Sequence, residues 1–83
     1  MEELIRAIVE PIIANKSSLM IKMVPSLDDE NFQEIIIITE KDDTARLIGK
    51  AGSVANAIRE VVSIKARLDN AHVRVKFESY DEN

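Results

Sequence analysis

The stretch Arg46-Leu47-Ile48-Gly49-Lys50-Ala51-Gly52-Ser53-Val54-Ala55-Asn56-Ala57-Ile58-Arg59 decides how this chain of 83 residues folds. It contains both glycines of the chain, and each flanking segment has the apolar spacing of a helix. Glycine reaches backbone angles closed to other residues and lets a second backbone come close. The pattern therefore predicts a G-x-x-G loop between two helices. The free N–H groups and positive dipole end of the second helix then lie beside Lys50, an arrangement that suits a phosphate group.

A purely structural role for the two glycines is the alternative. Gly49 is a suitable C′ residue to close the preceding helix, and Gly52 permits tight packing where the next helix begins. The aliphatic pair Leu47-Ile48 before the loop and Ile58 after it provide apolar anchors on both helices. These anchors favour a functional loop held between two packed helices.

Length and composition limit the chain to a single small domain with a real core. Hydrophobic residues make up 46% of the chain and charged residues 31%, and no cysteine is available for a disulfide or a thiolate metal site. The amino terminus lacks the positive region of a signal peptide, and no run of residues approaches a membrane span. We therefore expect a cytoplasmic protein, of a size that often gains stability from a partner.

Charge is distributed unevenly along a chain whose net charge is −4. Residues 1–43 contain 4 basic and 10 acidic side chains, whereas residues 44–77 contain 7 basic and 2 acidic ones. The acidic total argues against a non-specific nucleic-acid binder. The basic segment nevertheless contains the G-x-x-G loop, which indicates an anionic partner there; solvated faces of a helix and a strand are the simpler alternative.

The first half of the chain predicts a helix and two strands. Apolar residues recur at helical spacing over residues 2–14, and Pro11 is expected to kink or restart that helix. Leu19–Val24 alternates as a strand, a polar connector follows, and Phe32–Thr39 is a second strand. The four isoleucines at 35–38 predict a strand covered on both faces, or covered on one face with a ligand on the other.

The second half predicts two helices and a third strand. A short helix over Thr44–Ile48 is expected to be capped by Asp42 or Asp43, and a longer helix runs from Ser53 to about Leu68. The predicted buried stripe of the long helix consists of Val54, Ala57, Ile58, Val61, Val62 and the stem of Lys65. His72–Glu78 alternates as a strand with one wet face. This organisation predicts one domain over residues 1–78 and a loose acidic tail over residues 79–83.

The order helix, strand, strand, helix, glycine loop, helix, strand is an α+β pattern that resembles the type II KH domain, αββααβ. A helix-hairpin-helix module would be all helical, and a Walker loop needs a preceding strand and Lys-Ser/Thr after its last glycine. Pro11 in the first helix, the loop Ile48-Gly49-Lys50-Ala51-Gly52 and the run Ala55–Val62 are similar to the small stand-alone bacterial KH-domain RNA-binding proteins of the KhpA type. The resemblance covers nearly the whole chain. It implies a three-stranded mixed sheet with three helices packed on one face.

The chain departs from that family's pattern at one position of the helix that follows the glycine loop. Many KH domains carry a larger aliphatic residue where this chain has Ala55, and Val54 is expected to fill the space.

The resemblance implies an RNA site built on the glycine loop, which in KH domains clamps the backbone of four nucleotides. The implied RNA-binding residues are Gly49, Lys50, Ala51, Gly52 and Ser53, joined by Arg46, Asn56 and Arg59 if these line the same side rather than face solvent. Ile36 and Ile38 are implied as the opposite wall of the groove. The acidic run Asp28-Asp29-Glu30 would repel phosphates if it borders that groove, so binding by the domain alone is expected to be about micromolar or weaker.

The resemblance also implies the partners. These are single-stranded RNA and either a second copy of the chain or a larger, multidomain KH protein of the KhpB (Jag) type, acting in post-transcriptional regulation. It implies no cofactor, metal, membrane or small-molecule substrate. The main alternative is a KH-fold protein-interaction module without RNA binding of its own. An enzyme is not expected, because His72 is the only histidine and the serines have no base near them in sequence.

Overall fold

A computed structural model describes residues 1–80 and contains, over that range, three α-helices and a three-stranded sheet. The elements in chain order are α1 (Glu2–Val9), β1 (Met20–Pro25), β2 (Phe32–Thr39), α2 (Lys41–Ile48), α3 (Ser53–Leu68) and β3 (His72–Ser79). Short 3₁₀ turns lie at Lys16–Ser18 and Lys50–Gly52. The predicted α+β fold and the αββααβ order are confirmed.

The sheet is mixed, with β2 at its centre. Strand β1 pairs antiparallel to β2, so that Met23 lies opposite Ile35, and β3 pairs parallel to β2, so that Val75 lies opposite Ile35 on the other side. Helices α2 and α3 form the crossover that parallel strands require. The glycine loop is the bend in the middle of that crossover.

The helices bury one face of the sheet. Ile35 and Ile37 are fully buried there, and their neighbours on β1 and β3 belong to the same apolar face. The helices complete the core with Ile5, Val9, Leu47, Ile58 and Val62. Ile36 and Ile38 alternate with the buried isoleucines and therefore lie, half-buried, on the face away from the helices. The isoleucine run is thus covered by helices on one face only.

Helix α1 is shorter than the sequence predicted, because it ends at Val9 rather than Ala14. Pro11 has no N–H group to donate into a helix and its ring clashes with the preceding turn. The N–H groups of Ile12 and Ile13 both reach the carbonyl of Val9, which closes the chain into a turn. Ile13 still enters the core beyond that turn.

The buried face of α3 also differs from the prediction. Its buried residues are Ala55, Ile58, Val62 and Ala66, whereas Ala57 and Val61 are exposed. Small side chains at Ala55 and Ala66 allow α3 to pack closely, a signal that a search for large aliphatics misses. Val54 packs, half-buried, against the edge of the core as predicted.

The predicted cap of α2 is wrong, because the helix begins three residues earlier, at Lys41, and Glu40 precedes it without a side-chain hydrogen bond. Asp43 is instead inside the helix and 2% exposed. Its carboxylate accepts hydrogen bonds from the N–H groups of Ala14 (2.9 Å) and Asn15 (2.8 Å) and pairs with the Arg46 guanidinium at 2.6 Å. These donors, the backbone N–H groups first, lower the pKa of the Asp43 carboxyl. Asp43 therefore joins the segment after α1 to α2.

Strand β3 runs through Ser79, one residue beyond the prediction, and the N–H of Tyr80 donates to the carbonyl of Thr39. Residues 79 and 80, predicted as part of a loose tail, are thus held by the sheet. Residues 81–83 of the predicted tail lie outside the described residues.

We expect Asp43→Asn to destabilise the protein, because an amide removes the negative charge and one acceptor from the two N–H groups and Arg46. A carboxyl whose pKa is lowered by folding contributes stability that is fully present above its unfolded value of 3.8 and is lost as the pH falls through its lower folded value. The difference in unfolding free energy between wild type and variant should therefore be largest at neutral pH and shrink below pH 3.8. Urea denaturation at a series of pH values measures it.

Asp42→Asn is the matched control, since Asp42 is the exposed neighbour of Asp43. An equal loss of stability in both variants, or a difference independent of pH, would contradict this role of Asp43.

Candidate nucleic-acid interface

The glycine loop depends on backbone conformations that few residues adopt. Gly49 has φ 72° and ψ 178°, Ala51 has φ 55°, and Gly52 has φ 78° and ψ 13°. A Cβ on Gly49 would lie 2.5 Å from Cγ2 of Val54, whereas a Cβ on Gly52 would meet only the Asn56 side chain at 3.9 Å. Gly49 is therefore required both by its backbone angles, which belong to a region reached essentially by glycine alone, and by the close approach of α3. Gly52 is required only by its left-handed conformation.

The start of α3 is open to a ligand. Gly52 is its N-cap and contributes no side-chain hydrogen bond, and the first turn contains no acidic residue. The N–H group of Ser53 donates to the carbonyl of Lys50 in the preceding 3₁₀ turn. The next N–H groups of the first turn have no acceptor within α3, and the positive end of the helix dipole lies there. Lys50, Ala51 and Ser53 are exposed around it. The structure thus brings five of the predicted site residues, 49–53, together in one exposed cationic turn.

Arg46 occupies the last turn of α2, immediately before the loop. Its guanidinium pairs with Asp43 and its side chain is still 52% exposed. Arg46 therefore adds positive charge to this end of the molecule, although part of that charge is balanced by the buried carboxylate.

Arg59 and Asn56 do not simply face solvent. The Arg59 Nε donates to the carbonyl of Val75 at 3.1 Å, and one of its terminal nitrogens donates to Oδ1 of Asn56 at 3.3 Å. The guanidinium also lies 5.3 Å from the ring centroid of Phe77. These contacts hold Arg59 between α3 and β3, about two helical turns from Gly52.

The outer edge of β3 lies along α3. The N–H groups of His72 and Tyr80 donate to carbonyls at the two ends of β2, and even-numbered residues of β3 thus direct their backbone groups to β2. Backbone groups of Val73, Val75 and Phe77 therefore point outward. We call the space between this edge and the side of α3 that carries Asn56, Arg59 and Ser63 the α3–β3 groove.

Sequence reasoning missed the part that β3 plays in this groove. The inward alternation of Val73, Val75 and Phe77 was visible in the sequence, but the carbonyl of Val75 as a partner of Arg59 was not. Ile36 and Ile38, predicted as the groove wall, lie on the opposite face of the sheet, where Ile36 has Lys22 and Lys76 as its register neighbours. The structure does not bring them to the loop, and their contact with RNA stays a prediction.

The acidic connector lies far from the glycine loop. The backbone carbonyl of Asn31, in this connector, accepts a hydrogen bond from the N–H of His72. This bond places Asp28-Asp29-Glu30 beside the first residue of β3. The loop is at the other end of α3, which at 16 residues is about 24 Å long. The predicted repulsion of phosphates therefore applies to the far end of the groove rather than to the loop.

Residues 1–80 contain neither a candidate metal site nor a candidate membrane span. No three His, Asp or Glu side chains cluster there in a way that could hold a metal ion. No helix of that part combines the length and apolar character needed to cross a membrane.

Comparison with known sequences gives a consistent result. The sequence model of the KhpA/KhpB, KH domain family matches residues 2–77. The RNA-binding protein KhpA of Listeria monocytogenes is 32% identical over 76 residues, which cover 92% of this chain and 96% of that protein. The RNA-binding protein KhpA of Streptococcus pneumoniae serotype 4 is 38% identical over 61 residues, covering 74% of this chain and 73% of that protein.

Comparison with solved structures extends the likeness to the fold. Era of Aquifex aeolicus, bound to GDP and aluminium fluoride, superposes with a TM-score of 0.62 at 16% identity. Era in complex with MgGDPNP and a segment of 16S ribosomal RNA superposes with a TM-score of 0.59 at 17% identity. The matches cover 93% of this chain but only 29% and 28% of the Era chains. The likeness in fold is therefore to one part of Era, which is a larger protein.

The two glycines should respond differently to alanine. Gly49→Ala is expected to cost about 3 kcal/mol or more, because it adds backbone strain to an overlap with Val54. Gly52→Ala is expected to cost about 1 kcal/mol, the strain of a left-handed alanine alone. Urea denaturation of the three proteins measures both changes. Equal losses of stability would show that the contact between Gly49 and Val54 does not constrain the loop.

Proposed function

The chain belongs to the KhpA/KhpB KH-domain family, and we propose that it binds single-stranded RNA through the glycine loop and the α3–β3 groove. Membership of this non-enzymatic family confirms the prediction that the chain is not an enzyme. The observation that carries the proposal is the exposed turn at residues 49–53, where Lys50 lies beside the positive end of α3.

The loop is proposed to hold the RNA backbone. The Lys50 ammonium neutralises one phosphate, and the N–H groups that follow Ser53 in the first turn of α3 donate to its oxygens. Gly49 and Gly52 hold the turn in shape, and without side chains they let the backbone of the RNA approach. Arg46 adds longer-range attraction from the end of α2.

The groove is proposed to hold the bases. Outward-pointing backbone groups of β3 are donors and acceptors that can pair with the edge of an unpaired base, while Arg59 supplies a planar cation that is already fixed in place. A preorganised guanidinium loses less conformational entropy on binding than a free one. Tyr80, which is at the end of β3, is not needed for this mode of binding.

Affinity is proposed to be modest for one chain and higher for two. Few phosphates are neutralised by one loop in a protein of net charge −4, so a single site is expected to bind at about micromolar concentration or weaker. Joining two sites raises the effective affinity without any new contact to RNA.

We place the dimer contact on an exposed apolar stripe of α3. Ala57, Val61, Ile64 and Leu68 follow one another at spacings of three and four residues, and Val61, Ile64 and Leu68 are 46%, 47% and 75% exposed. When two such helices cross antiparallel about a two-fold axis, Val61 meets Ile64 of the second copy and small Ala57 meets large Leu68. The stripe is therefore complementary to itself, as a two-fold interface requires.

A larger KH protein of the KhpB type is the alternative occupant of the same stripe. The cellular role that we propose is post-transcriptional regulation in the cytoplasm, where transcripts and small RNAs are available. The competing function is a protein-interaction module in which α3 alone does the work. Salt separates the two functions, because RNA binding falls steeply with salt and apolar association does not.

Replacing Lys50-Ala51 by Asp-Asp is expected to abolish RNA binding and to leave the fold intact. The change puts two carboxylates where the phosphate lies, and aspartate tolerates the left-handed conformation of residue 51. Fluorescence anisotropy with a labelled single-stranded RNA pool, at low and physiological salt, measures binding. Circular dichroism checks the fold.

The matched control is Lys16→Asp with Ser17→Asp, an exposed lysine and its neighbour in the turn before β1. Because the control makes the same change in charge, it should retain most of the affinity. Undiminished binding by the loop variant would refute the site, and the absence of wild-type binding at any salt would favour the interaction module.

Ile64→Glu is expected to convert a dimer to a monomer, since a charge in the middle of the stripe would be buried against a second copy. Light scattering coupled to size-exclusion chromatography measures the mass. Leu27→Glu is the control, because Leu27 is fully exposed in the connector and the substitution has the same chemistry. A monomeric wild type, or an Ile64→Glu protein that remains dimeric, would contradict the proposed interface.

A further inference from the structure

A cavity of about 190 Å³ opens where α3 ends and β3 begins. It is lined by Ser63, Ala66, Arg67, Ala71, His72 and Val73. The room comes from the small side chains of Ala66 and Ala71, and from the sharp turn between the two elements. In that turn Asn70 is left-handed at φ 57°, and the N–H groups of Asn70 and Ala71 close the helix onto the carbonyls of Arg67 and Ala66.

The cavity lies at the far end of the α3–β3 groove. Gly52, Asn56, Arg59, Ser63 and Arg67 follow one another at spacings of three and four residues, so they share one side of α3. Strand β3 runs back along this side, with Val75 beside Arg59 and with Val73 lining the cavity together with Ser63. A strand of RNA that leaves the loop along the groove therefore reaches the cavity about 22 Å away, measured along the helix axis from Gly52 to Arg67.

The two charged or ionisable side chains of the cavity are uncommitted. Arg67 and His72 are exposed, and neither side chain has a hydrogen bond or an ion pair within residues 1–80. Both side chains end in a flat π-system. Splayed RNA bases stack on histidine rings and arginine guanidinium planes as well as on Phe, Tyr and Trp. The Ser63 hydroxyl adds a donor and acceptor at the wall.

The surroundings favour a base over a phosphate as the occupant. The cavity lies at the C-terminal end of α3, where the helix dipole is negative, and the acidic run Asp28-Asp29-Glu30 is joined through Asn31 to His72 at the same end. Both features disfavour an additional anion. A cavity of about 190 Å³ has room for one flat base.

The geometry points to a second, base-binding subsite in this cavity, which takes an unpaired base of the same RNA strand beyond the nucleotides held at the loop. The inference rests on the proposed RNA binding and adds a requirement for length. An RNA that spans only the loop gains nothing from the cavity, whereas a longer strand places a base between Arg67 and His72.

The experiment compares randomised single-stranded RNA pools of four and eight nucleotides, bound to wild type and to the variant Arg67→Ala, His72→Ala. The variant should bind the eight-nucleotide pool at least about fivefold more weakly, as expected when one stacked base is lost, and should bind the four-nucleotide pool as wild type does. Arg74→Ala is the control, since Arg74 is also an exposed arginine but projects from the other face of β3.

A third pool tests the chemistry directly. Eight-nucleotide RNAs that lack the bases at the 5′ end or at the 3′ end should bind wild type more weakly in one of the two cases, and the variant should not distinguish that pool from intact RNA. Intact and abasic RNA that bind wild type equally would assign the effect to phosphates and overturn the subsite. Equal losses for both lengths, or an equal loss with Arg74→Ala, would overturn it as well.

The same data separate failure of the subsite from failure of the proposed function. If wild type binds the four-nucleotide pool and the Lys50→Asp, Ala51→Asp protein does not, the loop site stands whatever happens at the cavity. If wild type binds neither length, RNA binding and the subsite are both refuted.

Discussion

The contact between Gly49 and Val54 is the constraint on which the rest of this structure depends. Gly49 adopts angles reserved for glycine, and the first turn of α3 comes so close that a single methyl group at residue 49 would overlap the Val54 side chain. That contact sets the angle at which α2 turns into α3. Because α3 is fixed in the core by Ala55, Ile58, Val62 and Ala66, the angle also fixes where its first turn and the exposed loop project.

A second tie holds the other end of α2. The Asp43 carboxylate accepts hydrogen bonds from two backbone N–H groups in the segment after α1. A side chain inside α2 therefore anchors the segment that follows α1. Arg46 balances its charge one turn before the loop. Helix α2 is thus fixed at its start by Asp43 and at its end by Gly49, and the loop is attached to a rigid support. Ligands that bind by several weak contacts gain from such preorganisation.

Helix α3 serves three purposes on three sides. Ala55, Ile58, Val62 and Ala66 pack into the core, Asn56, Arg59 and Ser63 line the groove along β3, and Ala57, Val61, Ile64 and Leu68 form the apolar stripe. With 3.6 residues per turn, the groove side and the stripe lie on different sides of the helix, a little more than about a third of a turn apart. RNA on one side and a second chain on the other therefore need not compete. In the proposed dimer, a second chain covers the large apolar side chains that α3 exposes.

The sequence by itself determined the order of elements, the α+β class, the bounds of β2 and α3 and the cationic glycine loop, because these follow from local periodicity and from glycine's backbone freedom. Tertiary structure alone decided the buried face of α3, the role of Asp43, the position of Arg59 over Val75 and Phe77, and the separation of the acidic connector from the loop. Asp43 and Arg59 contact residues that are 29 and 16 positions away in the sequence. The other features depend on which face of a helix meets the sheet and on where the connector lies in the fold. The residue pattern within one element does not reveal such contacts. In the sequence, an alanine at a close helix contact and a buried aspartate cannot be distinguished from surface residues.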